Sequence, residues 1–357
     1  MSSDTKAVRA SEQLEWSKLE AYAREKLAEV LVDGFDSTAP LIVEQFPGGH
    51  SNLTYLLRFG QSEFVLRRPP FGPVPPKAHD MARECRILSA VHPIFPLAPR
   101  PFVLCEDSSV IGSTFYIMER RRGLVIRQDE PPEIADRPEA RRRVGEAMID
   151  ALADLHLLDI DQYGLTALGK ASGFVERQVR GWSERWHGSQ TSEQPAMDLL
   201  ARWLTDRLPG DTPRPAFLHG DFKLDNVMLD AHDLGKLVAV LDWEMSALGD
   251  PLIDLGILLA YWVHTVPVAQ RDSLTSVTSR PGWFSRAELL DRYAQRTSID
   301  LTGIAFYEVF AVFKLAVVLQ QIFYRYHRGQ TDDIRFANLD QRVDWLAQIA
   351  TTLAEKG

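Results

Sequence analysis

The sequence predicts an α+β fold of two lobes, a small β-rich N-terminal lobe and a larger, mostly helical C-terminal lobe. Three observations carry this expectation. The chain has 357 residues, about two domains' worth at roughly 150 residues each. Apolar residues make up 45% and charged residues 25%, which suits a packed core and excludes disordered or fibrous structure. The patterning also changes along the chain. Short extended runs separated by turns dominate between Thr38 and Glu119, whereas apolar residues at spacings of three and four dominate from Pro138 onward. A division into a helical extension (1–35), a small lobe (36–119) and a helical lobe (120–357) follows.

The elements read in order. Glu12 to Val32 carries Leu19, Ala23, Leu27 and Val30 on one face, an amphipathic helix closed by Gly34. Thr54–Phe59 and Phe64–Arg67 read as strands around a turn at Gly60–Ser62. Ala78–Val91 reads as a helix. Val110–Ile111 and Thr114–Met118 read as two more strands around Gly112. Proline-containing segments at Pro69–Pro76 and Pro93–Pro101 mark loops. Helical patterning begins at Pro138, which suits a first turn, and runs through Val144, Met148, Ala151, Leu155 and Leu158. It returns at Phe174–Trp186, Met197–Leu208, Leu252–Val263, Arg286–Arg296, Ile304–Tyr326 and Leu339–Leu353. A short β insert interrupts it, with strands at Asn226–Leu229 and Leu237–Leu241 around a turn at Asp230–Gly235. Function in such a chain is expected in the cleft between the lobes.

Composition removes several function classes. The net charge is −9 and the pI about 5.5, whereas a general nucleic-acid binder needs a basic excess. Cys85 and Cys105 are the only cysteines; they form no C-x-x-C pair and point to a reducing, cytoplasmic setting. Met1 to Glu15 is polar, without the apolar core of a signal peptide. The most apolar stretch, Ile304 to Phe323, is interrupted by Glu308 and Lys314. Its uncharged run is too short for a bilayer, so it reads as a buried helix and no membrane partner is expected. The nine histidines show no H-E-x-x-H and no paired zinc spacing.

The densest polar cluster is Phe217-Leu-His-Gly-Asp-Phe-Lys-Leu-Asp-Asn226, followed by Leu241-Asp242-Trp243-Glu244. A carboxylate in a tight loop can orient a hydroxyl and accept its proton, a role open to Asp221. A hairpin that returns Asp242 beside the amide of Asn226 offers hard oxygen ligands of the kind Mg2+ takes along with phosphates and waters. His219 reads as structural, holding the loop. Asp250 and Asp254 read as organisers of the loop and the next helix. A metal-dependent hydrolase built on Asp221, Asp242, Asp250 and Asp254 is the rival reading of the same carboxylates.

Together, H-G-D-x-x-x-x-N, L-D-W-E and Gly249-Asp250-Pro251-Leu252-Ile253-Asp254-Leu255 resemble the aminoglycoside phosphotransferase and choline kinase branch of the protein-kinase-like fold. The resemblance covers about residues 35 to 330. It implies that Asp221 is the catalytic base, that Lys223 stands near the γ-phosphate, and that Asn226 and Asp242 hold Mg2+. Pro47-Gly48-Gly49-His50-Ser51-Asn52 is similar to the family's nucleotide loop, so Gly48, Gly49, Ser51 and Asn52 are expected near phosphates. Arg67 occupies the place of the strand lysine that clamps the α/β-phosphates. It keeps the charge but replaces a point ammonium by a planar fork. Glu84 matches the glutamate that pairs with that cation, and Phe115 to Arg120, with Glu119, matches the strand and hinge that meet adenine. The implied cofactors are ATP (or GTP) and Mg2+, and the implied reaction is phosphoryl transfer to a small-molecule hydroxyl.

H-G-D-F-K-L-D-N, V-L-R-R-P-P and the Phe174–Trp186 helix resemble, more narrowly, the kinase domains related to acyl-CoA dehydrogenases. That resemblance implies a hydroxyacyl-CoA acceptor. A cationic antibiotic calls for a carboxylate-rich pocket. The helical lobe instead offers Arg177, Arg180, Arg185, Lys314, Arg325 and Arg328, with Arg120–Arg122 after the hinge. Trp182, Trp186, Phe323, Tyr324 and Tyr326 are interleaved. Cations with aromatics suit an anionic ligand carrying an acyl chain; the alternative is that these arginines pair with acids and face solvent. An aminoglycoside or choline-type kinase and a non-catalytic nucleotide-binding homologue are the remaining readings.

Overall fold

The computed structural model describes residues 4–31, 35–47, 52–72, 79–127, 129–262 and 276–356. Val32, Gly34, Gly48, Gly49, His50, Ser51, Ala78 and Val263, and the prolines from Pro73 to Pro76, lie outside the described residues. The chain divides into two compact units, Met1–Gly123 with Val238–Glu244, and Leu124–Leu237 with Met245–Gly357.

The first unit is built on a five-stranded antiparallel sheet of order β1-β2-β3-β5-β4. Its strands are β1 (Leu41–Gln45), β2 (Leu53–Phe59), β3 (Ser62–Arg68), β4 (Pro101–Cys105) and β5 (Phe115–Glu119). Three helices accompany them: α1 (Trp16–Val30), α2 (Met81–Val91) and α3 (Ser108–Ile111). Side chains alternate across a strand, so the sheet has two different faces. Tyr55, Leu57, Phe59, Phe64, Leu66, Phe115 and Ile117 form one core with Leu19, Ala23 and Leu27 of α1. Helix α1, in the N-terminal helical extension, lays its apolar stripe on this sheet face: such a stripe needs a partner, and the sheet supplies it. Arg67 lies on the alternate set, in register with Tyr116 of β5.

One expected strand is corrected. Val110–Ile111 lies in the helical turn α3, not in a strand. Asp107 caps its start, accepting from the Ser109 N–H, and Gly112 ends it at φ 82°. Two apolar residues are too few to define a period, and the capping residues decide. The strand beside β5 is β4, which starts at the last residue of the segment read as a proline loop.

The second unit is mostly helical. It holds α4 (Pro138–His156), α5 (Phe174–Ser189), α6 (Pro195–Asp206), α7 (Leu252–Tyr261), α8 (Arg286–Thr297), α9 (Ile304–His327) and α10 (Leu339–Lys356). Helix α9 is long and apolar enough to cross a membrane by length and composition, but 67% of its most apolar window is buried inside the fold. It packs against α7 and α10. The β insert begins with β6 (Ala216–Leu218), which pairs antiparallel with Ala247–Gly249. Between them, Leu224–Asn226 forms a 3-10 turn rather than the expected strand start, and a strand follows at Val227–Leu229. The Asp230 N–H donates to the Lys236 carbonyl at 2.9 Å, closing the turn before the next strand, Leu237–Val240.

Candidate active site

In the first unit, Arg67 is the centre of a carboxylate cluster. Its Nε is 3.4 Å from Glu84 Oε2, one NH2 donates to Asp242, and Glu244 stands 4.0 Å away. Strand β3 presents the guanidinium, and α2, whose Asp80 cap accepts from the Arg83 N–H, presents Glu84. Burial works against the charge of Arg67, and the Glu84 and Asp242 carboxylates more than offset it, holding the guanidinium well above its ordinary value. Burial pushes the Glu84 carboxyl up to about 7, with Arg67 opposing and Asp242 and Glu244 adding to the rise. Asp242 takes a positive φ of 68°, a costly conformation for a non-glycine residue and one that collects at functional sites.

Asn52 is tied at both ends of its amide. Its Nδ2 donates to Glu244 at 2.9 Å, and its Oδ1 lies 2.8 Å from His79 Nδ1. Arg83 donates to the Glu244 carbonyl at 2.8 Å. Asn52 thus ties the end of the expected nucleotide loop to the L-D-W-E segment. Glu119 closes β5, its carboxylate accepting from the Arg100 N–H at 3.1 Å and pairing with Arg121 at 2.9 Å.

In the second unit, the H-G-D loop leaves β6 and is fixed from beneath by Asp254 of α7. The fully buried Asp254 carboxylate accepts from the His219 N–H at 2.6 Å and the Gly220 N–H at 2.7 Å. His156 Nε2 lies 3.3 Å from it, and His156 Nδ1 is 2.7 Å from the Tyr293 hydroxyl. Burial opposes ionisation of Asp254, but the hydrogen bond and charge of His156, with His219, hold its pKa below the ordinary value. Gly220 sits at φ 82°, and a Cβ there would fall 2.4 Å from the Met245 carbonyl oxygen. Only glycine fits this close approach.

Asp221 follows, its N–H donating to His219 Nδ1 at 3.2 Å. Its Oδ2 accepts from Lys223 Nζ at 2.7 Å and from Asn226 Nδ2 at 2.9 Å. The same amide nitrogen donates to the Asp221 carbonyl at 2.9 Å, so oxygen is the atom Asn226 can offer a cation. Lys223 also lies 4.9 Å from the Tyr261 ring centroid. Burial works against its charge, but Tyr261, Asp221 and Asp225 hold it above its ordinary value. Asp225 is raised, chiefly by burial. Lys314 of α9 donates to the Gly220 carbonyl at 2.8 Å.

The first unit thus gathers Asn52, Arg67, Glu84 and Asp242, and the second gathers Asp221, Lys223 and Asn226. Asp250 and Asp254 are committed to the fold. Asp250 accepts from the Tyr307 hydroxyl at 2.6 Å and the Leu252 N–H at 2.9 Å. Among the described residues no three His, Cys, Asp or Glu side chains cluster to hold a metal.

Most of the cations expected to meet an anionic ligand have other partners. Arg120 pairs with Asp4, Arg121 with Glu119 and Arg122 with Glu63. Arg177 donates to the Lys170 carbonyl at 2.6 Å, and Arg180 lies 4.0 Å from Glu184. These are helix-end and surface pairs. Lys314 and Arg185 differ: both lie over the Trp182 indole, at 5.5 and 4.6 Å. Three contributors carry little sequence signal. Glu244 shows only as the end of a motif, Lys314 only as one charge among several, and His156 only as a lone histidine in a helical pattern.

A small antiparallel sheet carrying an Arg–Glu pair, with a helical unit carrying an anchored H-G-D-x-x-x-x-N loop, defines a protein-kinase-like fold. The family profile described as "Phosphotransferase enzyme family" matches residues 42–289, and the chain belongs to that family. Acyl-CoA dehydrogenase family member 11 of Rattus norvegicus is 35% identical over 331 residues, covering 91% of this chain and 41% of the relative. The Homo sapiens protein of that name is 34% identical over 347 residues, covering 95% and 43%. The chain therefore spans about two fifths of the length of these relatives. A solved structure of a candidate aminoglycoside phosphotransferase from Ralstonia eutropha JMP134 is 32% identical, with a TM-score of 0.80 over 96% of this chain and 99% of that one. Choline kinase from Cryptosporidium parvum shares the fold at 10% identity, with a TM-score of 0.64 over 96% of each chain.

Proposed function

We propose that this protein is a small-molecule kinase that transfers the γ-phosphoryl group of ATP to a substrate hydroxyl. The observation that carries the reading is the fixed Asp221 carboxylate. Lys223 and Asn226 both hold Oδ2, which leaves Oδ1 to orient the acceptor hydroxyl and take its proton. Asp254, through the backbone of His219 and Gly220, sets the loop before substrate arrives, so little reorganisation is left for the reaction. Lys223 is placed to steady negative charge on the transferring group.

Asp242 in the first unit and Asn226 in the second each offer a hard oxygen of the kind Mg2+ takes. When bound, Mg2+ neutralises phosphate charge during transfer. Arg67, set by Glu84, binds the α/β-phosphates, and its fork suits two phosphate oxygens. Asn52 holds Glu244 from the end of the expected nucleotide loop. Glu119 marks the hinge strand that meets the base.

For the acceptor we infer a hydroxyacyl-CoA. The names of the relatives support this, as does the group of cations and aromatic around Trp182. The Ralstonia structure favours an aminoglycoside instead, but a polycation would meet Lys314 beside Asp221. Two free, buried thiols suit a reducing compartment, and we place the protein in the cytoplasm. Turnover of Asp221→Asn tests the reading: Mg·ATP-dependent phosphorylation should fall by about 10²-fold or more, with nucleotide binding retained. Near wild-type turnover would refute the base assignment.

A further inference from the structure

Helix α9 carries a cation that meets a backbone carbonyl and, among the described residues, no carboxylate. Lys314 is the single charge between Glu308 and Arg325 of an otherwise apolar helix. Its Nζ donates to the Gly220 carbonyl at 2.8 Å, one residue before Asp221. Among the described residues no carboxylate lies within ion-pair distance of it, and the same holds for Arg185. Burial lowers its pKa; Asp221 and Asp254 pull it back, and Lys223 and Arg185 lower it further.

A partly buried ammonium without a carboxylate partner carries a desolvation cost. A neutral donor would satisfy the Gly220 carbonyl at less cost, and a methionine would continue the apolar face. An ammonium has three N–H donors, and the carbonyl uses one. Trp182 supplies the surroundings: it is buried on α5, with Lys314 and Arg185 both over its indole. Arg177 ends on a carbonyl and Arg180 lies near an acid, whereas Lys314 and Arg185 converge on one aromatic beside the loop that carries Asp221.

We infer that Lys314, with Arg185 on the same indole, forms an anion subsite next to Asp221 that takes a carboxylate or phosphate carried by the acceptor and selects anionic acceptors over neutral and cationic ones. The inference rests on the reading of Asp221 as the group that meets the acceptor hydroxyl. The subsite is a specificity device. It adds nothing to the proton transfer, and it deepens the acceptor assignment by naming the residues that would enforce it.

Three acceptors of equal chain length separate the sources of charge: a hydroxyacyl-CoA, the free hydroxy acid and the matching diol. Steady-state kinetics with Mg·ATP would be run on wild type, Lys314→Met, Lys314→Arg and Arg185→Met, with thermal unfolding to establish folding. In Lys314→Met the ratio of kcat/KM for the preferred anionic acceptor over the diol should fall about 10–100-fold, the scale of one charge-assisted hydrogen bond. Most of that loss should lie in the acceptor KM. Lys314→Arg should recover most of the ratio, and Arg185→Met should lose a smaller part of it. Loss confined to the thioester identifies the CoA phosphates as the anion; loss on the free acid identifies the carboxylate. An unchanged ratio, with all acceptors falling together, would overturn the inference and leave Lys314 as a support for Gly220. If Lys314→Met does not fold, the Lys314→Arg and Arg185→Met ratios decide by the same criterion. Calorimetric titration of the same acid and thioester without ATP separates this inference from the kinase reading. Binding weakened tenfold or more in Lys314→Met, with no transfer to any acceptor, would keep the subsite and sink the kinase. Equal binding by wild type and variant would sink the subsite.

Discussion

Asp254→Asn replaces one atom and should undo the loop that holds Asp221. The carboxylate accepts from the His219 and Gly220 N–H groups at 2.6 and 2.7 Å, one on each oxygen, and it is fully buried. Hydrogen bonds to a buried charge contribute about 1.5–3 kcal/mol each. An asparagine keeps one oxygen, and its NH2 must face the other backbone donor. One bond is lost and one buried N–H is stranded, at a further cost of about 1–3 kcal/mol. The expected destabilisation is about 3–5 kcal/mol, a large share of the roughly 5–15 kcal/mol that holds a domain together. The loop would relax around the clash, and a displacement on the order of 1 Å at Asp221 lowers turnover by about 10²-fold. Urea unfolding and steady-state kinetics, run on the same preparation, read both effects. The pH dependence supplies a signature of the charge itself. The folded-state pKa of Asp254 lies below its ordinary value. Its stabilisation is therefore present above the unfolded pKa of about 3.9 and is lost as pH falls through the folded value. Asp254→Asn should have a shallower acid limb. Wild-type turnover together with an unchanged unfolding midpoint would refute the reasoning.

Three further outcomes follow from the two units. Gly220→Ala must place a Cβ 2.4 Å from the Met245 carbonyl at φ 82°; it should unfold at least about 2 kcal/mol more easily and lose activity, measured by urea unfolding and turnover. Asp242→Ala should weaken Mg2+-dependent ATP binding tenfold or more in a calorimetric titration while the fold persists, and equal binding would remove Asp242 from the metal site. Glu84, raised to about 7 by burial, contributes stability that is full below its unfolded pKa of about 4.3 and is lost as pH rises through about 7. Glu84→Gln should flatten the stability profile between those values, and an unchanged profile would contradict the burial argument.

The parts of the site written as close local patterns are legible in the sequence. H-G-D-x-x-x-x-N specifies a loop whose residues reach each other over five positions, so the motif alone pairs Asp221 with Asn226. Arg67 and Glu84 are legible through resemblance, and they stand 3.4 Å apart in the fold. Supports that act across long sequence distances are not legible. His156 reaches Asp254 from another helix, and Asn52 reaches Glu244 across 192 positions. No periodicity encodes such meetings. The arginines at Arg120 to Arg122 show the opposite case: their residue types suggest a ligand, but Asp4 and Glu63 reach Arg120 and Arg122 from elsewhere in the fold, and the neighbouring Glu119 pairs with Arg121. The helix Ser108–Ile111 resembles a strand in its apolar pattern because capping, rather than apolar period, decides so short an element.

Phosphoryl transfer to a hydroxyl with Asp221 as the base is open to direct measurement. Phosphorus NMR of Mg·ATP mixed with a hydroxyacyl-CoA, an aminoglycoside, choline or a sugar tests it most directly, with wild type and Asp221→Asn side by side. A new phosphate-ester signal, formed at the expense of the ATP γ-phosphate, is expected with the hydroxyacyl-CoA and wild type, appearing at least about 10²-fold more slowly with Asp221→Asn. No ester with any acceptor, or equal rates from the two proteins, would contradict it.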